Sequence, residues 1–403
     1  MADTAELSAF RAEVQEWLAA NFPKSLKGRN MMMAAPGEGG KDADDWQKAM
    51  GKKGWGTPTW PKAYGGGGLT EAHARVIREE LAAAGAYNPI GGMGVMMFGP
   101  TLLEYGNEEQ KSRHIPGITS GTVRWCQGYS EPGSGSDLAS LQTRCEDKGD
   151  HYLINGQKIW TSGAHTADWC FCLVRTDTTK KHEGISFILI DMKTPGVNPR
   201  PIRLINDSTP FCETFFTDVK VPKENLVGKL NGGWTIAKRL LQFERQNISG
   251  GLAGGGGPRG SAAARSANAN SIEEIAKRGL GTEEGKLADD DFRQRITIHK
   301  MENHAFGLTT QRSAAESRSN SGPSAATSIM KYAGAKIAQE RTELTIEAMG
   351  NRGYGWDGEG FTPFELASVK GWLRAKANSI EGGTSEINLN IVSKRVLDLP
   401  DLK

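Results

Sequence analysis

Residues 126–137 read Cys-Gln-Gly-Tyr-Ser-Glu-Pro-Gly-Ser-Gly-Ser-Asp, and residues 158–162, about two strands further on, read Lys-Ile-Trp-Thr-Ser. The first run crowds glycines, a proline and serines into a stretch that cannot be a regular helix. Its free backbone N–H groups and the hydroxyls of Ser130, Ser134 and Ser136 are therefore available to phosphate or ring oxygens. The second run sets the flat indole of Trp160 beside a hydroxyl donor, an arrangement suited to covering a planar ring and bonding its edge. Taken alone, Trp160 also fits a plain core aromatic; Ser162 and the glycine-rich partner run favour the ring-binding reading.

The chain around these runs divides by texture. From 1 to 122 the pattern is helical, with Ala/Glu/Arg-rich stretches broken by Gly- and Pro-rich loops near 37–40 and 65–68. Leu7, Phe10, Val14, Trp17 and Leu18 recur at helical spacing. From 123 to 228 short runs rich in Phe, Ile, Val and Thr, at 169–174, 184–190 and 214–221, predict an antiparallel β-barrel or sandwich. Within it, 151–154, Asn155-Gly156 and 157–160 read as a hairpin, because Asn-Gly suits the positive φ angles of a type I′ turn. From 229 to 403 the pattern is helical again, clearest at 234–248 and 333–349.

The totals exclude several classes. The 403 residues carry 49 basic and 47 acidic side chains, a net charge of +2. That leaves no global field to attract nucleic acid or an anionic membrane. The five cysteines, Cys126, Cys145, Cys170, Cys172 and Cys212, form no pair of Cys-x-x-Cys motifs. They read as buried thiols, with Cys170 and Cys172 on one face of a strand, and no metal site is expected. No apolar stretch is long enough to span a bilayer and no leader pattern opens the chain, so a soluble, cytoplasmic protein is expected.

Residues 250–292 are the least readable. The glycine run from Gly250 to Gly257 suggests a phosphate loop, but no strand precedes it and no Gly-Lys-Ser/Thr closes it. The alternatives are close helix packing or a flexible helix end. Residues 262–291 are polar and are expected to be partly mobile.

The 126–137 run resembles the first signature of the acyl-CoA dehydrogenase family, flavoproteins that desaturate acyl thioesters. Gly54-Trp55-Gly56-Thr57-Pro58 through Trp60-Pro61-Lys62-Ala63-Tyr64-Gly65-Gly66 resembles the family's first-domain loop, and Gly383-Thr384-Ser385-Glu386-Ile387 its second signature. The resemblance implies an α+β fold with an N-terminal α-helical domain, a middle antiparallel β-barrel domain and a C-terminal α-helical bundle. It implies FAD as cofactor, with Gln127, Tyr129, Ser130, Gly135 and Ser136 at its ring and phosphates. Trp160, Thr161 and Ser162 would flank the ring, and Thr384 and Glu386 would touch the adenosine half. Glu347 and Gly350 fall where a neighbouring subunit's flavin is contacted. Ser136, Arg245 and Gly382 are expected against substrate, and residues 91–102, with Met93, Met96, Met97 and Phe98, against the acyl group.

Such an enzyme takes a proton from the carbon next to a thioester carbonyl while the neighbouring carbon loses a hydride. That needs a buried carboxylate base and hydrogen-bond donors at the thioester oxygen, where enolate charge develops. Many members place the base two residues before the Thr of the second signature, which here is Gly382; Glu381 is one residue too early. Others, including isovaleryl- and long-chain-type members, place a Glu-Arg pair on the first long helix of the C-terminal domain, here Glu244-Arg245. Independently, Ala237, Leu241, Glu244 and Ile248 share a helical stripe, so Glu244 sits on an apolar face. A structural salt bridge is the other reading of Glu244, and an exposed loop carboxylate the other reading of Glu381.

One departure concerns assembly. The family's Arg-x-x-Phe-Gly motif, which reaches the next subunit's FAD, is missing, and 286–295 carries Asp289, Asp290 and Asp291 instead. The expectation is an FAD-dependent acyl-CoA dehydrogenase yielding the trans-2-enoyl thioester and passing electrons to an electron-transfer flavoprotein. It would be a homo-oligomer, dimer or tetramer, or a mixed complex with a related subunit. The alternatives are a flavin monooxygenase or oxidase on the same scaffold, and a non-catalytic flavoprotein that binds DNA or a partner subunit.

Overall fold

The computed structural model describes residues 4–29, 39–253, 271–319 and 326–400; side chains at 244–253, 314, 317–319 and 326–327 lie outside that description. The chain forms two compact units, Met1–Ile202 with Pro210–Phe243, and Arg203–Thr209 with Glu244–Lys403.

The first unit opens with helices α1 (Ala5–Asn21), α2 (Gly40–Lys53), α3 (Glu71–Ala84), α4 (Gly99–Tyr105) and α5 (Glu108–Thr119). Side-chain oxygens of Thr4, Thr70 and Asn107 accept the first free N–H groups of α1, α3 and α5, so the helices start where the sequence supplies caps. Val14, Leu18, Trp46, Met50, Val76, Ile77 and Leu81 close one core between α1, α2 and α3. Residues Gly94–Phe98 form a π turn running into α4. A Cβ at Gly99 would lie 2.1 Å from Trp60 Cη2, so only glycine lets that indole lie against the turn. The expected acyl-pocket stretch is corrected in part. Met97 and Phe98 are sealed in the core, and Met93 and Met96 alone of the four remain half-buried.

The β strands are β1 (Trp125–Gly128), β2 (Arg144–Asp147), β3 (His151–Ser162), β4 (Trp169–Arg175), β5 (Ile185–Asp191), β6 (Val197–Ile202), β7 (Phe211–Pro222) and β8 (Leu226–Val227). They make one eight-stranded sheet in the order β6-β7-β3-β2-β4-β5-β8, with β1 also paired to β4. The expected antiparallel β domain is present, with every strand pair antiparallel except two: β1 and β2 lie in tandem along one edge of β4, both parallel to it. All five cysteines are free and buried in a single core on this sheet, as expected of inert thiols. Gly128 is where β1 meets them, since a Cβ there would sit 2.9 Å from Cys170 Sγ and Cys172 Sγ.

The Asn155-Gly156 hairpin does not exist. Residues 151–162 are one strand, and the chain runs through Asn-Gly without turning. Asn155 Nδ2 donates to Asp218 Oδ1 at 3.0 Å and Asp218 N donates to Asn155 Oδ1 at 2.8 Å, so the amide that would have served a turn instead clasps an irregularity in β7. Gly156 answers a close approach: a Cβ there would be 2.7 Å from Thr143 Cα.

Helix α6 (Gly233–Ala253) follows, and Ile236, Ala237 and Leu240 join the core of the first unit. The glycines at 250 and 251 are helical, and 254–257 of the glycine run lie outside the described residues. The described part of 262–291 is built. Ser271 caps a helix Ile272–Leu280, and Thr282–Glu283 pairs with Lys286–Leu287. The second unit continues with helices Asp290–Ser319, Ala326–Met349, Pro363–Ala375 and Ser385–Arg395. Among the described residues no helix is long and apolar enough to cross a membrane.

Candidate functional site

Residue 131 organises the serine-rich run. Glu131 N donates to Ser134 O at 2.9 Å and Ser134 N returns a bond to Glu131 O at 3.0 Å, closing a tight turn over Pro132 and Gly133. The Ser134 hydroxyl is buried and donates to Asp137 O and Leu138 O at 2.9 and 3.1 Å. That corrects its expected role as a ligand donor, because its hydrogen bonding is committed to shaping the loop. Gly135 and Ser136 are exposed, Ser130 and Ser162 half-buried. Among the described residues the hydroxyls of Ser130, Ser136 and Ser162 have no protein partner, so these three remain open to a ligand.

Strand β3 brings the second run to the first. Ile159 N donates to Ser130 O at 2.9 Å. Between Lys158 and Thr161 the register with β7 slips, and at this bulge Trp160 takes φ 59°. A bulky side chain rarely adopts that backbone region, which costs about 1–3 kcal/mol and collects at ligand sites. The bulge turns Trp160 outward, leaving it 53% exposed with Phe211 edge-on at 6.1 Å. Trp160 is therefore not a core aromatic. Thr161, by contrast, is buried, and its hydroxyl has no hydrogen-bond partner among the described residues. Gln127 is half-buried in β1 opposite Phe171, and Tyr129 is buried edge-on to Phe171 and Phe187.

Beneath the loop lie charges that the sequence reading passed over. Lys158 is fully enclosed, and its Nζ donates to Glu131 Oε1 at 2.7 Å and Tyr129 O at 3.1 Å. Glu131 also accepts Gln142 N at 2.6 Å and Thr143 N at 2.9 Å. Burial pushes the Glu131 carboxyl up, but Lys158, Thr143 and the Gln142 N–H outweigh it and hold the group below its usual range. Arg175, also buried, donates to Ala139 O, Leu141 O, Lys180 O and Lys181 O. A sequence signal existed: Lys158 falls in step with buried Tyr152 and Ile154 on the inward face of β3, where a lone cation needs a partner.

The second unit holds the remaining predicted residues. Thr384 caps helix Ser385–Arg395 by accepting Ile387 N at 3.2 Å, and Asn388 Nδ2 returns to Gly383 O and Thr384 O. The Glu386 carboxyl is held low by its own backbone N–H and by Thr384. Gly382 and Gly383 have φ 63° and 88°, a tight glycine turn before the cap. Glu347 is bound at two points by Arg295, at 2.6 and 2.7 Å, and Gly350 ends its helix at φ 55°. Glu381 is half-buried and paired with Arg374, which corrects the exposed-carboxylate reading. Glu244 and Arg245 lie in helix α6, and their side chains are outside the described residues.

The two runs in the first unit fit a flavin. An outward indole offers one face to a planar ring, and unpartnered hydroxyls and an open glycine loop stand beside it. Among the described residues no cluster of His, Cys, Asp or Glu could hold a metal ion.

Comparison with known proteins gives matches in the same order along the chain. Residues 4–122 match the acyl-CoA dehydrogenase N-terminal domain family, 126–219 its middle domain and 231–397 its C-terminal domain. Acyl-CoA dehydrogenase IpdE1 of Mycobacterium tuberculosis is 34% identical over 403 residues, covering 98% of each chain. The solved Tcur3481-Tcur3483 steroid ACAD superposes with a TM-score of 0.74 at 28% identity, over 100% of this chain and 99% of that one. A chain of the ChsE4-ChsE5 complex from Mycobacterium tuberculosis gives a TM-score of 0.73 at 26% identity, over 100% of this chain and 100% of that one.

Proposed function

The chain belongs to the acyl-CoA dehydrogenase family, and from that membership we propose an FAD-dependent enzyme that converts a bulky, ring-bearing acyl-CoA to its trans-2-enoyl thioester. The observation that carries the flavin assignment is the joining of the two runs, Ile159 N to Ser130 O, with Trp160 turned outward beside the joint.

FAD, when bound, supplies the acceptor for the hydride leaving the β-carbon. Trp160, Ser130 and Ser162 would hold its ring, Gly135 and Ser136 its phosphates, and Gln127, Tyr129 and Thr161 would support the ring side. Thr384 and Glu386 would hold its adenosine half, and Glu347 and Gly350 would stand at a subunit boundary. Glu244 takes the proton from the α-carbon, and the Gly382 turn and Arg245 meet the thioester. As the C–H bond breaks, charge collects on the thioester oxygen, where a backbone N–H at the Gly382 turn stabilises it.

The choice of a ring-bearing acyl group rests on the solved relative named a steroid ACAD and on half-buried Met93 and Met96, whose flexible side chains fit irregular shapes. We extend the proposal to the domain limits 1–122, 123–228 and 229–403, to an electron-transfer flavoprotein as acceptor, to a cytoplasmic location and to assembly as a mixed complex with a related subunit. The missing Arg-x-x-Phe-Gly motif and the ChsE4-ChsE5 relative, itself a complex of two chains, support the last. Anaerobic titration of the yellow protein with straight, branched and steroid-derived acyl-CoAs tests the assignment. Flavin bleaching with the ring-bearing members is the expected outcome, and bleaching by none would overturn it.

A further inference from the structure

Lys158 and Glu131 have no part in the chemistry above, yet they are the most completely enclosed ion pair at the site, with side chains 0% and 8% exposed. Two charges removed from water carry a large desolvation cost that apolar residues of similar volume would avoid. Stability alone is thus a weak reason for such a pair, and its geometry suggests another.

Three consecutive residues of the serine loop are gripped by two consecutive residues of β3. Lys158 Nζ takes Tyr129 O at 3.1 Å and Glu131 Oε1 at 2.7 Å, and between them Ile159 N takes Ser130 O at 2.9 Å. The Glu131 carboxylate then reaches a third segment through Gln142 N and Thr143 N. Ser130, whose own hydroxyl has no protein partner, is held on both sides. Immediately beyond the grip, the bulge turns Trp160 outward.

We propose that Lys158 and Glu131 are positioning residues that fix Ser130 relative to Trp160, so that the ring-binding surface is preformed before flavin arrives. This rests on the flavin-site reading above. The pair is enclosed beneath the loop and acts through the loop it anchors, and the binding surface avoids the ordering cost that a loose loop would impose on the ligand.

The test uses the whole 403-residue chain stripped of flavin, with FAD as probe. Either single substitution leaves a buried charge uncompensated and endangers folding, so the informative variant is the double one, Glu131→Gln with Lys158→Met, which removes both charges and keeps volume. Wild-type apoprotein is titrated first; failure to take up FAD there refutes the flavin site itself. With wild-type binding established, the double variant should keep a cooperative thermal transition and wild-type circular dichroism. Its Kd for FAD should rise about ten- to a hundredfold, the loss met when groups supporting a ligand's contacts are removed. A Kd within about twofold of wild type, well under the tenfold step expected, would overturn the proposal. So would loss of the thermal transition together with FAD binding, because the pair would then serve folding alone.

Discussion

Arg374 donates to both carboxylate oxygens of Glu381, at 2.6 Å through Nη2 and 3.3 Å through Nη1. A carboxylate held this way has its lone pairs turned toward a guanidinium and is poorly placed to take a proton from carbon. Glu244 is left as the candidate base. Glu244→Gln keeps size and removes basicity, so flavin reduction by acyl-CoA should slow by about a hundred- to ten-thousandfold while flavin content stays near wild type. Stopped-flow reduction decides between them: a near-normal rate for Glu244→Gln with loss in Glu381→Gln would pass the role to Glu381.

Trp160 separates stability from binding. Because it is 53% exposed at φ 59°, its ring contributes little to the folded apoprotein. Trp160→Ala should change apoprotein stability by no more than about 0.5 kcal/mol, the range of surface substitutions, and should sharply lower FAD occupancy. Adding Ser136→Ala should lower it further. Chemical denaturation beside FAD titration checks both, and full occupancy in the double variant would contradict the ring-face role.

Lys158→Met alone should be costly. Removing one partner of a buried pair costs about 3–5 kcal/mol, here because Glu131 would keep its charge without a cation. The wild-type Glu131 carboxyl is depressed from its usual 4.5, so its stabilisation is present above about pH 4.5 and is lost as pH falls through the folded value. The deficit of the variant should shrink in acid, where Glu131 takes up a proton. A deficit independent of pH would mean that lost packing, not charge, is responsible.

Glu365 gives the second unit its own acid response. Arg352 bonds it at two points, and although burial opposes, that bond with help from Thr362 holds the carboxyl at about 2 against an ordinary 4.5. Its contribution is therefore full above about pH 4.5 and fades between there and about 2. Glu365→Gln should lower the thermal midpoint at pH 7 and have a shrinking effect as the pH approaches 2. Equal deficits at both ends would exclude the ion pair as the cause.

Assembly is checked by light scattering. Expressed alone, the chain should form something other than a fully loaded homotetramer, and co-expression with a related subunit should raise flavin content. A homotetramer with full FAD loading would remove the reason for expecting a mixed complex.

How much of this was legible follows from the range of each interaction. The ligand loop was legible because Pro132, Gly133 and Gly135 exclude a helix within a few residues. The helical ends were legible from caps such as Thr70 and Asn107, which act on N–H groups three residues away. Asn155-Gly156 misled because its local preference for a turn was overridden by β7 and by Thr143, both distant in sequence. Ser134 misled similarly: its hydroxyl looked available until the turn placed Asp137 O and Leu138 O within reach.

The sequence by itself determined the helix–strand–helix order and the residues able to meet a flavin, because turn chemistry, capping and side-chain type are properties of short segments. Only the tertiary structure decided which serines stay open, why Trp160 faces outward and what holds the loop. Lys158 and Glu131 stand 27 positions apart, and nothing in either segment alone says that sheet register will bury them against each other. Such a pairing is a consequence of β3 lying beneath the loop, and a pattern read along the chain carries no term for it.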